Sequence, residues 1–321
     1  MTANAEVKVQ KKQDASKRHG FWYDLLRRMI KEKPLGTFGL VIVIIFLIAG
    51  IFANFIAPYS LQYFDITNKL QGSSITHWLG TDQLGRDVLT RIIYGARVSM
   101  FIGIAGTIIT SLISILIGVI SGFAGGKTDL FIQRFVDAWM SLPGFLLLLT
   151  IMSIIGNGMI QIIIVIGITL GIGFSRVIRS AVIGIKSNMY VSAAQSVGSS
   201  STRTMLRHII PNIMAPIIIN FTIGIGTVIM MEASLSFLGF GVPPGHPSWG
   251  SMLSSEGRKY MQQDPSLALW PGLALTLAVY GINMFGDALR DLLDPRLRGG
   301  VGRYSLTEDQ KKKKAKILTG S

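Results

Sequence analysis

The residues with the clearest potential for chemistry lie at positions 121–128, which read SGFAGGKT. They approach the nucleotide-binding pattern G-x-x-x-x-G-K-[ST], in which backbone amides cradle phosphates and a lysine reaches their far oxygens. Ser121, however, stands at the first glycine position, and the segment follows an apolar run instead of a β-strand. We therefore predict that Lys127 lies at the cytoplasmic rim of a membrane domain and that this chain does not bind or hydrolyse ATP.

Other side chains that could support catalysis or metal binding are scattered. The four histidines are His19, His77, His208 and His246. They are far apart, whereas a metal site requires ligands at close spacing. Cysteine is absent, which excludes disulfides and thiolate chemistry. Since no Ser-His-Asp set or carboxylate pair stands out, we predict no catalytic residue, metal or cofactor, with a membrane enzyme as a weak alternative.

Long apolar segments dominate the chain. Of its 321 residues, 49% are hydrophobic and only 15% are charged, and the charged residues cluster between apolar runs. The hydrocarbon core of a bilayer is about 30 Å thick, so a spanning helix needs roughly 20 mostly apolar residues. We therefore predict an all-α polytopic membrane protein whose transmembrane domain occupies residues 35–300. The six predicted spans cover residues 35–57, 98–123, 138–155, 159–174, 213–231 and 267–285.

The basic residues give these spans an orientation. Six spans return the chain to its starting side, and 25 of the 31 Lys and Arg residues fall on that side. Because loops rich in Lys and Arg stay in the cytoplasm, both termini are predicted to be cytoplasmic. The net charge of +14 then reflects topology and attraction to anionic lipid. It does not indicate nucleic-acid binding, which needs a basic surface on one soluble domain. The basic tail at 301–321 is predicted to be disordered.

A short amphipathic segment ends the N-terminal basic region, residues 1–34. Its apolar residues fall at helical spacing, and its basic residues take the opposite face. The apolar set is Phe21, Trp22, Leu25, Leu26 and Met29, and the basic set is Arg27, Arg28 and Lys31. Such a helix is expected to lie in the cytoplasmic interface of the membrane. The alternative is a short helix packed on the protein's own loops.

The loop between the fourth and fifth predicted spans, at about 186–211, has the composition of a docking element. It reads YVSAAQSVG at 190–198 and RHIIPN at 207–212. Ala193, Ala194 and Gly198 would form a helix face of little bulk, which lets another surface approach closely. Serines at 199–201 offer a helix cap, and Pro211 fits the start of the next helix. A plain connecting loop is the alternative.

This loop resembles the EAA loop of ABC importer permeases. The pattern of that loop is Glu-Ala-Ala, three residues, Gly, nine residues, Ile, one residue, Leu and Pro. Ala193, Ala194, Gly198 and Pro211 fall in register with that pattern. The departures are Ser192 in place of Glu, His208 in place of Ile and Ile210 in place of Leu. Further segments at 80–94, 232–239 and 286–298 resemble the C-type, second permease subunit of dipeptide, oligopeptide and nickel importers. The likeness extends over residues 34–299.

The resemblance implies the fold and partners of a type I importer. These are a second, homologous permease subunit, two cytoplasmic ATPase subunits that bind ATP and Mg, and an extracytoplasmic binding protein. The chain would import peptides across a bacterial or archaeal plasma membrane, with nickel chelates or another small solute as the alternative. A secondary transporter is a remote alternative, because paired repeats with intramembrane ion ligands are not evident. The implied ATPase-contact residues are Tyr190, Val191, Ser192, Ala193, Ala194, Gln195, Gly198, Ser199, Arg203 and Pro211.

Three polar residues within the predicted spans are candidates for the substrate pathway. Glu232 lies near the end of the fifth span, and ionisable groups at membrane depth usually face a cavity or a partner. A structural contact at the outer end of the pathway is the alternative for Glu232. Asn220 and Asn283 are weaker candidates, with hydrogen bonds between helices as their default role. Pro143 and Pro211 are predicted positions for bending.

Overall fold

The computed structural model of the chain describes residues 21–243 and 245–293. In this part the fold is helical, as predicted, and no strand is formed. Thr81 and Asp87 form an isolated β-bridge. The main helices are α1 Phe21–Glu32, α2 Pro34–Ile51, α3 Val88–Ala124, α4 Gly126–Ser141, α5 Gly144–Ile155, α6 Met159–Lys186, α7 Met189–Ser196, α8 Met214–Phe237, α9 Trp249–Met252 and α10 Ser266–Leu293. Shorter helical turns occur at Ala53–Ile56, Ile66–Asn68, Ser201–Thr204, Met205–Ile209, Ile210–Ile213, Leu253–Gly257 and Arg258–Tyr260.

Five helical runs of the described chain are long and apolar enough to cross a membrane. They are α2, α3, α6, the continuous run Ser201–Phe237 that ends in α8, and α10. The bent pair α4 and α5 supplies a sixth crossing if the two act as one span. The predicted number of six spans is therefore reached when the bent pair α4 and α5 is counted as one span.

The third predicted span is not a straight helix. Helices α4 and α5 meet at an angle of 84°, so residues 138–155 include a break. The break falls at Leu142 and Pro143, because proline has no amide hydrogen and disfavours helical geometry in the residue before it. The chain bends at Pro143, as predicted. The prediction of one straight span over residues 138–155 is wrong, because the span contains this bend. Pro211 lies in the 3-10 turn Ile210–Ile213 that leads into α8.

Helix α3 forms the centre of the bundle and packs along α6. Near the outer end, Ile102 is buried together with Ile162 and Ile166 of α6. Near the other end, Phe123 packs in a cluster with Val182 of α6. This apolar contact runs along most of both helices, so α3 and α6 form the frame on which the remaining helices are arranged.

Helix α1 is present where the amphipathic pattern predicts a helix. Leu25 and Met29 are buried against Leu289 and Leu293 at the end of α10, so one edge of the helix packs on the protein itself. Leu26, in contrast, is exposed. The predicted tails at 1–20 and 301–321 lie outside the described residues.

Candidate functional site

The segment between α6 and α8 carries a short helix that ends at a specific cap. Helix α7 stops at Ser196, and Gly198 follows with φ +86°. The amide of Gly198 donates to the Gln195 carbonyl at 2.9 Å, and the amide of Ser199 donates to the Ala194 carbonyl at 3.0 Å. This is the Schellman pattern, in which a left-handed residue closes a helix. The predicted face of Ala193, Ala194 and Gly198 is therefore wrong in one respect, because Gly198 lies beyond the helix and terminates it.

A few side chains hold this segment to the bundle. Val191 of α7 and Thr204 are buried. The Ser200 hydroxyl accepts from the Arg203 amide at 3.4 Å and caps the next turn, as the serine run predicts. Pro211 stands at the start of the turn Ile210–Ile213 that enters α8, in agreement with its predicted place. The segment is thus fixed at both ends while its middle lies on the surface.

The exposed side of this segment carries large apolar side chains, which we call the cytoplasmic patch after the predicted orientation of the chain. Met189 and Val197 are each 89% exposed, and Leu206 and Tyr190 are 62% and 43% exposed. The predicted contact residues Ser192, Ala193, Gln195 and Arg203 are also exposed, while Ala194 and Ser199 are half-buried. Several large apolar side chains exposed on one short segment are typical of an interaction site. Sequence reasoning missed Met189, Val197 and Leu206, because only the position of the helix cap shows that they point outward.

The stretch at 121–128 has a structural role in the described chain. Ser121 lies in the last turn of α3 and donates to Asp129 of α4. Arg179 of α6 donates to the same carboxylate, with Nε 2.6 Å from Oδ1, and Gln133 donates to the Ser121 hydroxyl at 2.9 Å. The strand, loop and helix of a phosphate-binding loop are replaced here by two helices joined at a glycine turn. Lys127 is exposed on that turn.

The end of α8 that is predicted to face outward is covered by residues 248–252, which contain α9 and which we call the outer plug. Trp249 is completely buried, donates from Nε1 to the Ile92 carbonyl at 3.2 Å and meets Phe46 of α2 edge-on at 5.1 Å. A β-carbon at Gly250 would lie 2.5 Å from the backbone of Ala233, so the plug touches α8 directly. The plug therefore joins the outer ends of α2, α3 and α8.

Glu232 lies beneath the outer plug and is completely buried. Its Oε1 accepts from the Ser236 hydroxyl at 2.7 Å. The hydroxyls of Ser99 on α3 and Ser248 in the plug also face this carboxyl. Ser99 in turn accepts from the Trp249 amide at 3.3 Å. In the described chain Glu232 is therefore buried under the outer plug and exposes no surface to a pathway, and its role stays a prediction.

The loop between α2 and α3 is a folded unit held by polar contacts. The buried carboxylate of Asp82 accepts from Arg86 Nε at 2.6 Å and lies 3.3 Å from Arg91 Nη1. Asp87 caps α3 and lies 3.0 Å from Nδ1 of the buried His77. Thr67 donates its hydroxyl and amide to Asp65, and these bonds lower the pKa of that carboxyl. Within residues 21–243 and 245–293, no three His, Asp or Glu side chains are grouped closely enough to hold a metal ion.

Comparison with known proteins accounts for this architecture. Residues 114–299 match the family described as the binding-protein-dependent transport system inner membrane component. The chain belongs to this family of transport permeases. Residues 20–72 also match the N-terminal transmembrane domain of oligopeptide transport permease C. The protein is thus a multi-pass inner-membrane permease and not an enzyme.

Three relatives of this permease cover nearly its whole length. The dipeptide transport permease DppC of Alkalihalophilus pseudofirmus is 38% identical over 86% of this chain and 90% of its own. The oligopeptide transport permease OppC of Bacillus subtilis is 37% identical over 86% and 90%. The glutathione transport permease GsiD of Escherichia coli is 37% identical over 87% and 91%.

A solved structure supports the fold alone. A chain of the MetNI methionine ABC transporter, in an inward-facing form, superposes with a TM-score of 0.53 at 15% identity. The match covers 64% of this permease and 96% of that chain. The helical arrangement described above is therefore that of an ABC transporter permease.

The three candidate pathway residues are not brought together. Asn220, half-buried, and Glu232 lie 12 positions apart on α8, which corresponds to about 18 Å along a helix. Asn283 of α10 is exposed, with Oδ1 directed at the backbone of Gly226, where an added β-carbon would lie 3.0 Å away. Among the three, Asn283 alone lies on an open surface of the chain.

Proposed function

We propose that this chain is one of two permease subunits of an ATP-driven importer and that it forms half of a translocation pathway for peptides. The observation that carries the proposal is the likeness, over nearly the whole chain, to permeases named for dipeptides, oligopeptides and glutathione. An extracytoplasmic binding protein would deliver the substrate. Nickel chelates or another small solute are the alternative cargo.

The cytoplasmic patch supports the proposed partnership with ATPase subunits. It presents Met189 at the start of a short helix and Val197 just after its end, both left exposed by the described residues. Exposed apolar side chains surrounded by polar residues are the usual centre of a protein interface. We infer that α7 docks on an ATPase that binds ATP and Mg and that closure of the ATPase pair moves this segment. Because Ser192 replaces the glutamate of the family pattern, the contact rests on shape and apolar burial more than on an ion pair.

A second surface supports the proposed pathway. The exposed face of α10 includes Tyr280, Asn283 and Asp287, together with leucines. An asparagine side chain cannot satisfy all its hydrogen-bonding groups against lipid, so such residues face a cavity or a partner. The exposed residues of α2, such as Phe38 and Ile45, are in contrast apolar. We infer that α10 faces the second permease subunit and the pathway, while α2 faces lipid.

The proposed orientation places the termini and the cytoplasmic patch inside the cell. The charge distribution supports it, since 25 of 31 basic residues fall on that side. The chain has no cysteine, so single cysteines can be introduced at Ser196, Ser254 and Ser305 and treated in intact cells with an impermeant thiol reagent. Only the cysteine at 254 should react. Labelling at 196 would contradict the orientation.

Uptake by the reconstituted complex tests the function itself. The permease would be purified with the second permease, the ATPases and the binding protein of the proposed importer, and placed in proteoliposomes with ATP inside and binding protein outside. We expect ATP-dependent uptake of a labelled dipeptide, an oligopeptide or glutathione. Uptake of a nickel chelate without any peptide would support the alternative cargo. Uptake driven by an ion gradient without ATP would contradict the proposed function.

A further inference from the structure

Helix α1 presents three distinct faces, although its sequence pattern suggests two. One face, with Leu25 and Met29, is buried on the protein. Turned from it by roughly a quarter of the helix circumference, Leu26 and Ile30 are 47% and 61% exposed, and Tyr23 shares their sector. Leu26 and Ile30 of this second face are apolar and largely exposed in the described part of the chain.

The third face is charged and is divided into two parts. Arg28 Nη2 lies 3.1 Å from Glu32 Oε2, so this pair is internally neutral. Arg27 and Lys31, one turn apart, border the exposed apolar face, and within the described residues no salt bridge involves either of them. Asp24 lies on the same charged side, which with Arg28 and Glu32 therefore keeps a net charge of +1 beside the apolar strip.

The position of α1 identifies what covers this strip. Only Lys33 separates α1 from α2, whose first residues Leu35 and Phe38 are themselves exposed and begin a membrane span. The strip is therefore continuous with a lipid-facing surface at the membrane boundary. Exposed Leu and Ile beside Lys and Arg are the signature of a helix lying in an anionic interface. Phospholipid acyl chains fit the strip, and phosphate headgroups fit the two cations.

The buried face connects this surface to two other helices of the bundle. The cluster around Leu25 and Met29 includes Ala215 and Ile218 from the first turns of α8, directly after the segment with Pro211. Lys33 Nζ lies 2.5 Å from Asp291 of α10, which fastens the same region to the last helix. Because Arg27 and Lys31 lie on the side of α1 opposite Leu25 and Met29, a headgroup held there would act on α8 and α10 through the position of the whole helix.

We propose that Arg27 and Lys31, with the strip of Leu26 and Ile30, form a binding site for anionic phospholipid headgroups, and that lipid bound there raises the transport rate by holding α1 against α8 and α10. The effect on rate rests on the proposed function, whereas the lipid contact does not. Because each basic residue near an anionic surface contributes on the order of 1 kcal/mol, loss of both should weaken the local attraction about thirtyfold.

The lipid contact is tested in the assembled complex in nanodiscs. The variant Ile30→Cys carries an environment-sensitive fluorophore, with Glu32→Cys on the charged face as its matched control. We expect the label at 30 to be quenched by spin-labelled phospholipid and protected from aqueous iodide, and the label at 32 to show the reverse. Iodide quenching at both positions would overturn the proposal, and protection from both quenchers at 30 would show that a protein covers the strip.

The regulatory step is tested by titrating phosphatidylglycerol into phosphatidylcholine nanodiscs. Substrate-stimulated ATP hydrolysis by the wild-type complex should rise severalfold. The double variant Arg27→Gln/Lys31→Gln should keep the rate seen in phosphatidylcholine alone and lose the rise. The control Arg28→Gln/Glu32→Gln, which removes a neutral pair, should respond like wild type. An unchanged response in the first variant would overturn the regulatory role.

If no lipid gives stimulated hydrolysis in any variant, the proposed function fails, and the fluorescence measurement still decides the lipid contact.

Discussion

The two segments that flank α8 are built in opposite ways. On the outer side, the plug buries Trp249 completely and hydrogen-bonds to α3 through Ser99 and the Ile92 carbonyl. On the side predicted to be cytoplasmic, Met189 of α7 and Val197 just beyond it are almost fully exposed. The outer segment satisfies its apolar and polar groups within the chain. The cytoplasmic segment does not, and we attribute this difference to a partner that completes it.

The largest effect on stability is expected in the outer plug. Trp249→Ala would leave a cavity where Phe46 and Gly95 now pack on the indole. Truncation of a fully buried tryptophan costs about 3–5 kcal/mol. The melting temperature of the detergent-solubilised permease should fall by several degrees or more, whereas Trp78→Ala, at a position 70% exposed, should leave it nearly unchanged. Equal melting temperatures for the two variants would show that the plug does not brace the bundle.

The opposite pattern is expected in the cytoplasmic patch. Met189→Asp/Val197→Asp should weaken assembly with the ATPases, because burial of each apolar side chain contributes about 1.5–3 kcal/mol. Two such losses exceed a hundredfold in affinity. Stability of the permease alone should change by no more than about 0.5 kcal/mol per site, as for other surface positions. Co-purification measures assembly, and Lys127→Ala on the same side of the membrane is the control expected to assemble normally.

A further prediction concerns Glu232, whose carboxyl we expect to stabilise the outer plug. Glu232→Ala leaves the hydroxyl of Ser236 without its acceptor and should cost about 1–3 kcal/mol. Glu232→Gln keeps an acceptor and should cost less. The reporter is Met252→Cys, a buried position in the plug, whose reaction with a soluble maleimide should accelerate in the Ala variant. A matched control is Ser234→Ala, since that hydroxyl bonds back to its own helix. An unchanged labelling rate in the Glu232→Ala variant would show that this carboxyl does not stabilise the outer plug.

A smaller effect is expected at the cap of α7. Gly198 has φ +86°, a conformation that costs residues with a side chain roughly 1–2 kcal/mol. Gly198→Ala should therefore fray α7 and reduce ATPase assembly up to about tenfold. Gly198→Asn should restore much of it, because asparagine tolerates the left-handed region. Ser192→Ala, at an exposed position, should be close to neutral. Equal losses from the Ala and Asn variants at 198 would point to bulk at this site and not to backbone conformation.

The helical fold and most span positions follow from the sequence, because apolar length and charge placement are local properties that the bilayer fixes. The bend at Pro143 was foreseen as a position, but its angle depends on how α4 packs on α3 and α6. The role of Gly198 was misassigned because the spacing of small residues does not show where a helix stops. The surroundings of Glu232 could not be predicted, since Ser99 on α3, far away in the sequence, faces its carboxyl.

The most direct test of the central claim concerns Val197. In this cysteine-free chain, Val197→Cys keeps an apolar side chain and gives a single reporter on the cytoplasmic patch. Its reaction rate with a soluble maleimide would be measured for the permease pair alone and after addition of the purified ATPases, with Gly72→Cys on the outer loop as control. We predict that the ATPases slow labelling at 197 at least about tenfold, as burial of a docked contact requires, and leave labelling at 72 unchanged. Equal rates at 197 with and without bound ATPases would contradict the claim that this segment is the docking element.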